Sequence, residues 1–327
     1  MENQSKAEAY KPQPTPKEWL LIEKMLMETH REQKKTRRWG IFFKILVFVY
    51  IFAALMVFRV GSQLGVPATI GKDHVAVVPV NGVIADGEEA SANAIVTGLR
   101  KAFEAENSKA VLLAINSPGG SPVQSGYVND EIYRLKALHP DKKVYAAISD
   151  LGASGAYYIA VAADQIYADK ASLVGSIGVT AAGFGFVGLM NKLGIERRAY
   201  TSGEHKGFLD PFAPEQEGEV AFWNSVLGAT HQQFIDVVKK GRGDRLQSNQ
   251  ADLFSGLIWN GEQALELGLV DGLGSAGYVA RDVIGVEEMV DYGVRPNPLQ
   301  RVIEQLGVSI GEGISQTATA EAPMTLH

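Results

Sequence analysis

The sequence predicts an α/β domain set behind a single membrane-spanning helix. Three observations predict it. From about residue 75 to 295, short apolar runs alternate with longer segments of helical spacing, the βαβ rhythm of a sheet with crossover helices. Ahead of them lies one long apolar stretch, Trp39–Phe58, of 20 residues. Charge divides at the same place: residues 1–60 carry 11 Lys/Arg against 6 Asp/Glu, and residues 61–327 carry 20 against 31. The expected organisation is a basic, partly amphipathic segment (1–38), a signal anchor (39–59), a linker (60–74), a main α/β domain (75–295) and a loose C-terminal tail (296–327).

In the first segment, "PTPKEWLLIEKMLMETHREQ" reads as a short amphipathic helix. Thr15 is its expected N-cap, Pro16 its first residue and Glu18 the returning partner of a capping box. Trp19, Ile22 and Leu26 share one face. The anchor follows. A helix of 20 residues at about 1.5 Å per residue spans roughly 30 Å of hydrocarbon. Lys44 is the one charge within it, on a stem long enough to snorkel. The stretch is too long and starts too late for a cleaved leader, and no Ala-x-Ala exit precedes Arg59. Arg31, Lys34, Lys35, Arg37 and Arg38 flank its N-terminal side, which is therefore expected in the cytoplasm with residues 60–327 outside.

The body opens with "HVAVVPVNGVI", a strand ending in an Asn-Gly turn. "KAVLLAIN" (109–116) is continuously apolar, as a parallel strand buried on both faces must be. Residues 125–138 have helical spacing, and "KKVYAAIS" (142–149) is the next strand. "GASGAYYIAVAA" (152–163) reads as a small-residue helix, followed by short strands in "DQIYADK" and "SLVGSIGVT". Residues 214–242 form a long helix, acidic early and basic late, in keeping with the helix dipole. Residues 255–274 supply a closing helix between glycine-bounded turns.

Composition excludes several chemistries. The chain has no cysteine, so disulfides, thiolate catalysis and zinc–cysteine sites are unavailable. The acidic body argues against nucleic acid as a partner, since phosphate binding wants clustered Lys/Arg. No sequence feature calls for a metal or an organic cofactor.

Three segments carry candidate chemistry, and loops at the carboxyl ends of parallel strands collect such segments. "INSPGGSP" (115–122) turns directly after a buried strand, and its glycines can present N–H groups to a developing oxyanion. "GASGA" puts Ser154 at a helix start, where it reads equally as an N-cap and as a nucleophile near the Gly155 N–H. A nucleophile elbow of the α/β-hydrolase kind would require Gly where Ala156 stands. A serine needs a base. His30 is expected on the cytoplasmic side of the anchor, His327 is the last residue, His139 precedes a proline, and His74 falls in the linker, leaving His205 and His231. Lys206, in "TSGEHKGFLDPF", is the other candidate, because a lysine in an apolar site is pushed toward its neutral form.

Together, "INSPGG", "SDLGASGAYYIAVAAD", "SLVGSIGV", "TSGEHKGFLDPF" and "NGEQALELGLVDGLG" resemble the signal peptide peptidase A family in order and spacing, over roughly residues 75–285. The resemblance implies a Clp protease/crotonase-like domain of repeated ββα units and a serine–lysine peptidase. It makes Ser154 the nucleophile, Lys206 the general base and Ser176 the hydroxyl that orients the lysine, with the Gly120 and Gly155 N–H groups as the oxyanion hole. The family usually has a second glycine after its "ASG"; here Ala156 adds a methyl that is expected to narrow the site. The resemblance further implies cleaved signal peptides as substrates, a bacterial inner membrane location, and a homo-oligomer in which serine and lysine can come from adjacent protomers. Three competing readings stay open: a crotonase-like hydratase, a non-catalytic peptide-binding scaffold, and a Ser-His protease using His205.

Overall fold

The computed structural model describes residues 16–64, 71–247, 250 and 252–294. The chain divides into two units, residues 1–70 and 71–327. The first contains helix α1 (Pro16–Leu64), which is continuous over 49 residues. The amphipathic segment and the apolar stretch are therefore one helix rather than two. Between them the chain reads "REQKKTRR", good helix formers apart from Thr36, with no glycine or proline to break the ladder. Within α1, Arg37–Met56 is long and apolar enough to cross a membrane, and none of it is buried. The Thr15 cap lies outside the described residues, as does the tail assigned to 296–327.

The second unit is a mixed α/β sheet with helices on its faces. In chain order its elements are β1 (His74–Asn81), α2 (Ala92–Glu104), β2 (Ser108–Ser117), α3 (Pro122–Leu138), β3 (Lys143–Ala153), α4 (Gly155–Ala160), β4 (Gln165–Ala168) and β5 (Leu173–Gly175). There follow α5 (Val187–Leu193), α6 (Glu217–Arg242), β6 (Ile258–Asn260), α7 (Gly261–Glu266), β7 (Gly272–Leu273), α8 (Ala276–Tyr278) with π-helical turns over Val279–Ile284, and β8 (Met289–Asp291). The main path of the sheet is β6-β5-β3-β2-β1-β8, with β4 bridging β3 and β7. All described pairings are parallel except β5 with β6.

Strand β2 is central, and its continuous apolar run is explained by its two buried faces. Val111, Leu113 and Ile115 join the large core under α2, α3, α4 and α6, while Leu112 points into a second cluster with Val75, Val279 and Ala280. His74 is not a linker residue. It opens β1, is buried, stacks on Tyr292 and shares a 2.9 Å hydrogen bond between Nε2 and the Tyr292 hydroxyl. The helix expected over 152–163 is shorter, because β3 runs on to Ala153 and only Gly155–Ala160 is α-helical.

Two ionic ties hold the helices that flank the strand ends. Arg242 of α6, almost fully buried, gives two hydrogen bonds to Asp271 at 2.8 and 2.9 Å and one from Nε to the Gly268 carbonyl at 2.8 Å. Glu131 of α3 accepts from Arg134 Nη2 and from Arg100 Nε of α2, both at 2.7 Å. Hydrogen bonding from Arg134, and after it from Arg100, outweighs burial and holds the Glu131 pKa at about 2, below its usual 4.5. A depressed carboxylate contributes stability that is complete above the unfolded value and lost as pH falls through the folded one. Glu131→Gln is therefore expected to flatten the loss of thermal stability between pH 4.5 and 2. Melting curves of both proteins across that window check it, and parallel curves would refute it.

Candidate active site

Strand β3 ends at Ala153 and α4 begins at Gly155, so the chain turns from strand to helix on Ser154 alone. Ser154 does so at φ 53° and ψ −125°. A non-glycine residue held at positive φ costs about 1–3 kcal/mol and persists only where its surroundings enforce it. Here its N–H donates to the Gly175 carbonyl at 2.8 Å and its carbonyl accepts from the Tyr158 N–H at 3.0 Å. Its side chain makes no capping bond. Ser154 thus occupies the N-cap position without capping, and its hydroxyl has no hydrogen-bond partner among the described residues.

The turn after β2 supplies the neighbouring donors. The Ile84 N–H donates to the Gly119 carbonyl at 2.9 Å, the Ser121 N–H to the Ile84 carbonyl at 2.7 Å, and the Gly119 N–H to the Ser117 hydroxyl at 3.1 Å. The Gly120 N–H between them has no acceptor among the described residues, and neither has that of Gly155. The two glycines are adjacent: a Cβ on Gly155 would lie 3.2 Å from the Gly120 nitrogen. An oxyanion hole needs two N–H groups that are not spent within the fold.

Ser176 reaches the same place through the sheet. The parallel register pairs Ala153 with Gly175, so Ser154 and Ser176 leave adjacent strand ends side by side. Ser176 also has positive φ, 51°, and its N–H donates to the Leu257 carbonyl at 2.8 Å. Gly120, Ser154, Gly155 and Ser176 all line one cavity of about 770 Å³. One wall is a face of α3 (Val123, Tyr127 and Asp130), and the other is a face of α6 (Thr230, Gln233 and Phe234). Ala156 is fully buried in the main core and is not among the lining residues, so its methyl does not narrow this cavity.

Lys206 is elsewhere. It is exposed, in a run of turns after α5, with its N–H on the Gly203 carbonyl at 3.1 Å, and it does not line the Ser154 cavity. The segment carrying it is poorly covered: α5 buries no residue, and Phe184 and Tyr200 are 82% and 91% exposed. No histidine among the described residues lines the cavity either. His231 Nε2 is 3.0 Å from the Ile177 carbonyl, and His205 is exposed beside Lys206.

The sequence model of peptidase family S49 matches residues 136–284, which include Ser154, Ser176 and Lys206 but not Gly120. The putative protease slr0021 of Synechocystis is 34% identical over 211 residues, 63% of this chain and 72% of that protein. The chain belongs to peptidase family S49. This agrees with the resemblance to signal peptide peptidase A, as does the putative signal peptide peptidase SppA of Enterococcus faecium, 36% identical over 204 residues, 60% of this chain and 58% of that one. The S49 chain is also 49% identical over 176 residues, 54% of its length, to the Na(+)/H(+) antiporter NhaA of Brucella melitensis. That alignment covers 24% of the Brucella protein, so the S49 chain spans about a quarter of one of these relatives and somewhat over half of another.

Sequence reasoning missed the cavity walls. The spacing of Val123, Gly126, Tyr127 and Asp130 places them on one helical face, a signal that was present but had no strand end to refer to. It also missed the part of Gly119 in this S49 chain. At φ +94°, a Cβ there would sit 2.5 Å from the Gly155 nitrogen and 2.8 Å from the Ser154 Cβ. Gly119→Ala is expected to cost about 2 kcal/mol or more and to disorder the Ser154 turn. Gly126→Ala, with open space around it, should cost almost nothing. Thermal melts of the two variants check the contrast, which equal melting temperatures would overturn.

Proposed function

We propose that this S49 chain is a membrane-anchored serine endopeptidase that uses Ser154 and Lys206 on remnant signal peptides or other membrane-associated peptides. The observation that carries the reading is the strained Ser154, whose hydroxyl is uncommitted beside the unspent N–H groups of Gly120 and Gly155. A serine that serves only as a cap would be spending its oxygen on the helix.

In the proposed reaction, neutral Lys206 takes the Ser154 proton as Oγ attacks the peptide carbonyl. The carbonyl oxygen gains the charge and is held by the two glycine amides. Lys206 passes the proton to the leaving amine, and water then attacks the acyl-enzyme, its proton returning through Lys206 to free Ser154. Ser176 orients the lysine. The exposure of Lys206, on a segment with uncovered Phe184 and Tyr200, supports a homo-oligomer in which one copy's lysine reaches another copy's serine. Burial at such a contact would also favour the neutral amine. The domain is read as Clp protease/crotonase-like, with parallel strand ends feeding the site. Helix α1 is read as the anchor in a bacterial inner membrane, its basic flank cytoplasmic and the catalytic domain outside. Peptides left in the bilayer would then lie within reach.

The test is hydrolysis of a fluorogenic peptide with a small or apolar residue before the scissile bond. Ser154→Ala and Lys206→Ala should each lower kcat/KM by roughly 10³-fold or more, with His205→Ala close to wild type. The wild-type rate should already be at its plateau near neutral pH. Loss with His205→Ala alone would point to a Ser-His enzyme. Equal residual hydrolysis by all variants would mean a contaminant or a different site, and would put a peptide-binding scaffold of the same fold first.

A further inference from the structure

The catalytic cavity has an asymmetry that the serine–lysine chemistry does not use. Among the described residues lining it, Asp130 is the one that carries a charge. The others are glycines, hydroxyls, aliphatic and aromatic groups and an amide. Asp130 is exposed to the cavity and has no ion pair or hydrogen bond among the described residues, whereas its neighbour Glu131 is saturated by Arg100 and Arg134. It lies on the same face of α3 as Val123 and Tyr127, at i+7 and i+3 from them, so the wall is apolar near the helix start and anionic farther along. The Asp130 charge acts across to α4 as well: burial first, and this carboxylate second, raise the Tyr158 phenol above its usual range.

Contacts between α3 and α4 give the scale. A Cβ on Gly155 would meet the Ser125 hydroxyl, and Asn129 Nδ2 donates to the Tyr158 carbonyl at 2.8 Å, so the two helices run alongside each other away from Ser154. Ser125 marks the level of the reacting serine. Asp130 is five residues farther, about 7.5 Å along the helix axis. An extended peptide covers that distance in two or three residues at roughly 3.3 Å each.

We propose that Asp130 is a specificity-determining residue that selects peptides carrying a lysine or arginine two or three residues from the scissile bond, next to an apolar residue seated against Val123 and Tyr127. This rests on the cavity being the peptidase site proposed above. An unpaired carboxylate on an apolar wall attracts a cationic side chain and repels an anionic one, and it does so more strongly as bound peptide displaces water.

The test uses the full chain in detergent and a set of short quenched peptides with one leucine before the scissile bond. A single Lys, Gln or Glu is moved through each position on both sides. The expected result is a maximum of kcat/KM for Lys over Gln of about fivefold, two or three residues from the cut, with Glu below Gln at the same position. The preference should weaken with added salt. Asp130→Asn should bring the Lys:Gln ratio to about one, and Asp130→Lys should reverse it in favour of Glu. These ratios are taken within one variant, so a partly unfolded preparation does not alter them. A flat positional profile, or a Lys preference that survives Asp130→Asn, overturns the proposal. The same peptides, dye-labelled, are bound to Ser154→Ala and followed by fluorescence anisotropy. If wild type hydrolyses nothing, the peptidase reading fails, while the anisotropy ratios with and without Asp130 still decide whether this carboxylate selects cationic peptides.

Discussion

Two strand ends meet at Gly119 more closely than any side chain would allow, and the candidate site depends on that approach. A Cβ at this position would fall within 2.7 Å of the Ala153 carbonyl oxygen and 2.5 Å of the Gly155 nitrogen. Its absence lets the turn after β2 lie directly on the turn after β3. Gly120 makes a second approach of the same kind, where a Cβ would overlap the Ile84 carbonyl. The Ile84 N–H and carbonyl take the polar groups on either side of Gly120, so the Gly120 N–H is the one left over. The donor geometry follows from sheet packing rather than from a loop free to choose its shape.

The same packing sustains the strain at Ser154. A positive φ on a serine is unfavourable by itself, yet this residue is held from three directions. Its N–H is tied to β5, its carbonyl begins the hydrogen bonding of α4, and the turn at Gly119 closes in so far that a Cβ on that glycine would fall 2.8 Å from the Ser154 Cβ. Within α4, Ala156, Tyr157, Ile159 and Ala160 are fully buried in the main core. Polar groups fixed in this way are preorganised, which is what an oxyanion hole would require of them. The segment with Lys206 is built oppositely, with α5 burying nothing and large apolar groups facing solvent.

How far the sequence could be read follows from which forces are local. β2 was legible because burial on both faces leaves an unbroken apolar run, and α6 because charge and periodicity agree along its length. Ser154 was only half legible: a serine before a helix has an ordinary explanation, and it took the missing capping bond and the positive φ to set that explanation aside. The juxtaposition of Ser154 with Ser176 is a matter of strand register, which local sequence does not encode. The join between the amphipathic and apolar segments looks like a boundary in the sequence because composition changes there, although nothing in the backbone breaks. Asp130 was invisible for a related reason. Its helical face means nothing until the sheet decides which faces border the reacting serine.

On the reading proposed above, two features visible from the start answer the same physical problem. A rigid half-site carrying the nucleophile and oxyanion donors is useless without its base, and the lysine that supplies it sits on an exposed segment. Bringing the halves together from dilute solution would cost translational freedom at every encounter. Confining each copy to a membrane by α1 removes part of that cost in advance, since tethered partners meet at a high effective concentration. The anchor would then do more than place the enzyme near its substrates. It would hold the base of one copy within reach of the serine of another, and leave an unassembled chain with its nucleophile formed but without its base.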